Sequence, residues 1–85
     1  MIAIQIVNTG AIKLLVTVRD LNAGAVPPVL PPTWIERTSP PISLYVQATD
    51  SGYGKIQWSA QDETGDETGS ATADVADGNV IDVGQ

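Results

Sequence analysis

Apolar and polar positions alternate along most of this chain. Ile2, Ile4 and Ile6 are separated by Ala3 and Gln5, the period of two that turns one face of a strand to a core. After Asn8-Thr9-Gly10 the alternation resumes, with Ile12, Leu14, Val16 and Val18 on one face and Ala11, Lys13, Leu15, Thr17 and Arg19 on the other. Three loop residues ending in glycine predict a hairpin between these two strands, with Gly10 left-handed. Over 42–49, Ile42, Leu44, Val46 and Ala48 face inward and Ser43, Tyr45, Gln47 and Thr49 outward. Over 55–61, Ile56, Trp58 and Ala60 face inward and Gln57, Ser59 and Gln61 outward. The turn chemistry of Asp50-Ser51-Gly52-Tyr53-Gly54 between them predicts a second hairpin. The expected core is therefore Ile4, Leu14, Val16, Leu44, Val46, Ile56 and Trp58.

The stretches between these strands read differently. All the prolines fall between 27 and 41, and proline lacks the amide donor that a sheet ladder uses. Residues 26–41 are thus expected as an extended polyproline-type connection or edge segment, with room for a short strand around Trp34–Thr38. Asp62–Gly69 repeats Asp-Glu-Thr-Gly and reads as a tandem loop, followed by weaker strands at Ala71–Ala76 and Val80–Val83. No window keeps apolar residues at helical spacing. The fold class expected is all-β: a small antiparallel β-sandwich or barrel of Ig-like, Greek-key type, with a proline-rich extended segment.

Length makes this one domain, residues 1–85, with 26–41 as connection or arm and 62–79 as acidic loops. A chain so short buries only ~60–65% of its unfolded surface, so assembly or a bound ion would add needed stability. Cysteine and histidine are both absent, which removes disulfides and the two commonest zinc ligands. The charge of −6 is uneven. Lys13, Arg19, Arg37 and Lys55 nearly balance Asp20, Glu36 and Asp50. The last 24 residues carry Asp62, Glu63, Asp66, Glu67, Asp74, Asp77 and Asp82 with no cation. Such a surface repels nucleic acid and anionic membranes, so neither is expected as a partner. No signal peptide or transmembrane stretch is read, and the expected location is the cytoplasm or a virion.

Catalytic chemistry finds little to work with. Triads of the common kind need histidine or cysteine. Asp50-Ser51-Gly52, after an apolar strand, resembles the Asp-Ser/Thr-Gly turn of aspartic proteases, whose dimeric retroviral-type members place one such Asp per subunit. The likeness covers three residues, and Tyr53 stands where those enzymes carry a small one. Ordinary turn chemistry accounts for the same triplet. Calcium is the one ion the composition suits: Asp62, Glu63, Asp66 and Glu67 place four carboxylates in one loop, although the spacing matches no full motif.

Binding surfaces remain. Pro28-Val29-Leu30-Pro31 has the spacing read by SH3-type grooves but no flanking cation. The same segment could dock as an arm on a neighbouring subunit, with Val29, Leu30, Trp34 and Ile35 as anchors. Tyr45, Gln47 and Thr49 with Gln57, Ser59 and Gln61 would form one flat polar face if the second hairpin holds. These features together lead to the expectation of a non-enzymatic accessory subunit of a larger assembly. A bacteriophage capsid-decoration, tail or fibre protein is the type in view, with a protein partner or homo-oligomer engaged through Val29, Leu30, Trp34, Ile35, Tyr45 and Gln57. The alternative is a calcium-dependent or carbohydrate-binding module. No other cofactor is expected.

Overall fold

The computed structural model describes residues 1–10, 13–24 and 27–84. Ile12 and Ala11, expected on opposite strand faces, and Val26, at the head of the proline-rich segment, lie outside them. The described chain is mostly β, with two sheets packed into a sandwich-like whole. Its strands are, in order, β1 Ile2–Val7, β2 Lys13–Asp20, β3 Leu30–Glu36, β4 Ile42–Val46, β5 Gly54–Gln61, β6 Glu67–Val75 and β7 Val80–Asp82. One sheet runs β4-β1-β7 and the other β3-β2-β5-β6. No described helix is long and apolar enough to cross a membrane.

Alternation identified the inward faces well. Ile4, Leu14, Val16, Leu44, Val46 and Ile56 are all buried, joined by Ile6, Val18, Ala60 and Val75. Trp58 is only half-buried, packed against the rim of this core.

Both expected hairpins are overturned. β1 pairs antiparallel with β4 but in parallel with β7, where the expected arrangement is antiparallel. β2 pairs with β3 and β5, so the chain leaves the first sheet at Asn8-Thr9-Gly10. The turn side chains hold this crossing. Buried Asn8 donates to the Ile35 carbonyl of β3 at 3.0 Å, and Thr9 donates its hydroxyl and amide to Asp82 of β7. β4 and β5 likewise lie in different sheets, joined at the turn by an isolated bridge between Ala48 and Gly54. Gly54 is confined there: a Cβ would sit 3.1 Å from the Gln47 carbonyl oxygen and from the Val46 side chain. The hairpins actually formed are β2–β3 and β5–β6.

The 26–41 segment is also corrected. Leu30–Glu36 is an integral edge strand, and Leu30 and Ile35 lie in the chain's own core. A register shift lets Pro31 and Pro32 fit: Val16 pairs with Thr33, but Val18 pairs with Leu30. The extra residue is absorbed as a bulge on an edge, where missing amide donors cost least.

The Asp82 carboxylate is held below its ordinary value near 3.8, first by the Thr9 hydroxyl, with slight burial opposing and the Gly84 and Thr9 amides adding. A lowered folded-state pKa contributes stability that is complete above the unfolded value and is lost as pH falls through the folded one. Thr9→Val should therefore flatten the acid limb of the stability profile. Urea midpoints taken between about pH 5 and pH 2 would check this; an unchanged slope would remove Thr9–Asp82 from the account.

Candidate functional site

The residues expected to act together are spread over the molecule. Tyr45 is 67% exposed on the outer face of the three-stranded sheet, paired across to Ala3. Gln57, with Ser59 and Gln61, lies on the outer face of the other sheet, opposite Arg19 and Thr72. The flat polar face combining Tyr45 with Gln57 does not form, because β4 and β5 belong to different layers. Val29 packs partly against the core, so among the four supposed arm anchors only Trp34 stands exposed. Its ring is covered on one side by the Lys13 ammonium, 4.8 Å from the centroid. Pro28-Val29-Leu30-Pro31 leads into β3 and is no free ligand for an SH3-type groove.

The acidic repeat divides between two structures. Asp62–Asp66 closes the β5–β6 turn through Asp62 N–H to the Asp66 carbonyl, 2.9 Å, and Gly65 N–H to the Asp62 carbonyl, 3.1 Å. Gly65 takes φ 91, which suits a residue without a Cβ. The Asp62 carboxylate accepts from the Thr64 hydroxyl and from the Thr64 and Asp66 amides. The Thr64 hydroxyl is the main cause holding its pKa below the ordinary value; some desolvation opposes this, and the loop amides add to it. The carboxylate's role is to cap its own turn. Glu67, expected in the loop, instead begins β6. Among the described residues no three carboxylates gather as a metal-binding group, so Asp62, Glu63, Asp66 and Glu67 are not assembled as a calcium cage.

Asp50-Ser51-Gly52 is likewise a turn. Gly52 N–H donates to the Thr49 carbonyl and Thr49 N–H to that of Tyr53, both at 2.9 Å, and the Thr49 and Ser51 hydroxyls bond each other. Beside it Asn22, Thr49, Tyr53, Lys55 and Asp74 line a shallow depression of about 380 Å³. A second depression, about 340 Å³, is lined by Lys13, Glu36, Arg37 and Thr38. Its cations are engaged within the molecule, Lys13 over Trp34 and Arg37 with the Gly10 carbonyl at 3.4 Å.

One further feature was missed by the sequence pattern. Each of the two sheets has two edges, and these are guarded unequally. β3 contains Pro31 and Pro32, β4 is five residues long and follows a proline pair, and β7 has three residues. Prolines and shortness both discourage pairing with another chain. β6 has neither. Among the described residues it is the longest strand, at nine, and is paired on one side only, and Val75 alone among its residues is buried. Its middle, Gly69-Ser70-Ala71-Thr72-Ala73, carries no charge, no proline and no bulky side chain. Every second residue turns its N–H and C=O outward, a template for an added strand. On the inner side Gly69 lies under Trp58: a Cβ there would be 3.3 Å from the indole. The run of small, half-polar residues was the available signal, but the repeat in front of it read as loop.

No protein family, curated protein or solved structure matches the chain.

Proposed function

We propose that this protein is a non-catalytic interaction module, an accessory subunit of a larger assembly that engages its partner by strand addition along β6. The observation that carries the reading is an edge strand without proline, regularly paired to β5 from Gly69 to Val75 beyond the bulge at Thr68, on a small fold whose other edges are shortened or blocked by proline. Main-chain hydrogen bonds along such an edge supply affinity, and the flanking side chains supply selectivity. The Asp62 and Asp82 carboxylates are engaged in holding their own turns, which fits a structural role for the acidic loops. The topology is of the Ig-like, Greek-key kind in this reading, since the chain changes sheet at β1–β2, β3–β4, β4–β5 and β6–β7. A bacteriophage virion is the kind of assembly envisaged.

Site-specific photo-crosslinkers placed at Thr72 and at Tyr45 within the native assembly test the proposal. Cross-links are expected from Thr72 and not from Tyr45. Ala71→Lys, a charge pointed inward from an exposed edge position, should abolish them while changing stability by less than ~0.5 kcal/mol. Cross-links from Tyr45 alone would move the interface to the opposite sheet. A second reading, a saccharide-binding module, is favoured by the Tyr53 depression with its hydroxyl, amide and charged groups. Oligosaccharide binding lost in Tyr53→Ala and kept in Ala71→Lys would transfer the assignment there.

A further inference from the structure

Strand addition along β6, on which this inference rests, also constrains the chemistry of the occupant. We infer that β6 receives an extended segment with Lys or Arg at each end of a short uncharged stretch, and with an apolar side chain set beside Trp58.

The ends of the strand set the charge. Glu67 and Asp74 bracket the uncharged centre, and both lie on the outer face, paired across β5 with Gln61 and Lys55. Lys55 flanks Asp74 from the β5 side only, and the residue paired with Glu67 is uncharged. The turn leading into β6 adds Asp62, Glu63 and Asp66, and Asp77 lies just beyond its end. The register shift at Thr68 takes up one residue of β6, so the two carboxylates stand opposite the six steps from Lys55 to Gln61. That is about 20 Å at ~3.4 Å per residue, a span matched by cations six residues apart on one face of an extended partner.

The inner face sets the shape. Gly69 has no side chain and Ala71 only a methyl, so the Trp58 ring, which lies against Gly69, is left half-buried at this edge. The three-stranded sheet does not cover this rim, since Ala71 is exposed. An added strand would set every second side chain on the inner face, and one of these would meet the indole. A second copy of this chain fits poorly. Antiparallel pairing of β6 about Ala71 would set Glu67 of each copy beside Val75 of the other and near its Asp74, between two chains of charge −6.

The test uses the full chain, ¹⁵N-labelled, and blocked peptides of alternating threonine and valine ending in lysine or in glutamate. At low ionic strength the lysine-ended peptide should shift the amides of 69–73 and the Trp58 indole signal. It should bind roughly 10-fold more tightly than the glutamate-ended one, an advantage that shrinks as salt rises. Glu67→Gln should weaken it about 2- to 5-fold. An N-methylated copy, unable to form the ladder, should not bind. Equal affinity, or preference for the glutamate-ended peptide, overturns the charge assignment and leaves strand addition standing. No binding by either at millimolar concentration, shifts away from β6, or a β6-mediated dimer in sedimentation at low salt overturns both.

Discussion

Ile35→Ala should destabilise the fold by about 2–5 kcal/mol, read as a fall in the urea midpoint, while leaving partner binding by the folded fraction unchanged. Ile35 is 1% exposed, among the best-covered side chains in the molecule, and it pairs with Leu14, which is equally buried. Truncation leaves a cavity between two sheets that a small domain has little freedom to close. Its neighbour supplies the contrast. Trp34 is 45% exposed with Lys13 over one side of the ring, so Trp34→Ala should cost far less, about 1 kcal/mol. If the two changes cost the same, the alternation of β3 across its faces would be wrong.

The second large effect is expected at Asp20, where Asp20→Ala should cost about 2–3 kcal/mol. This carboxylate is 5% exposed at the end of β2 and does two jobs. One oxygen caps the short 3₁₀ turn Leu21–Ala23 by accepting from Asn22 N–H at 3.0 Å. The other accepts from Gln47 N–H, just past β4, at 2.7 Å. It thereby ties the end of one sheet to the end of the other. Asp20→Asn keeps one acceptor and should recover part of the loss. An alanine variant as stable as the parent in thermal and urea melts would show that water replaces the carboxylate at no cost.

The contrast between Ile35 and Trp34 also shows what the sequence could reveal. Period-two alternation reports which way a side chain faces, and on that it succeeded for Ile4, Leu14, Val16, Leu44, Val46 and Ile56. It carries no information about which strand lies alongside. The partners of β1 and β4 depend on where Asn8 and Asp20 find their hydrogen bonds, in residues 27 positions away. Prolines hid β3, because a bulge on an edge can take up two of them without losing the strand. The acidic repeat hid the start of β6, because identical tetrapeptides do different things: the first turns, the second pairs with β5. Trp58 read as core because its parity is inward, yet β6 offers only glycine and alanine to enclose it.

The pairing of β1 with the far end of the chain has a consequence for how the protein is made. β1 is the middle strand of its sheet, and its neighbours are β4 and, in parallel, β7. Ala3 is tied to Asp77 and Gly78, and Val7 to Val83, across more than 70 residues. β1 therefore stays half-paired until the β7 segment has left the ribosome, and refolding must close that long loop before the contacts repay its entropy. The three-stranded sheet thus closes late, with one main-chain edge of β1 left without its strand partner while the rest of the domain is synthesised.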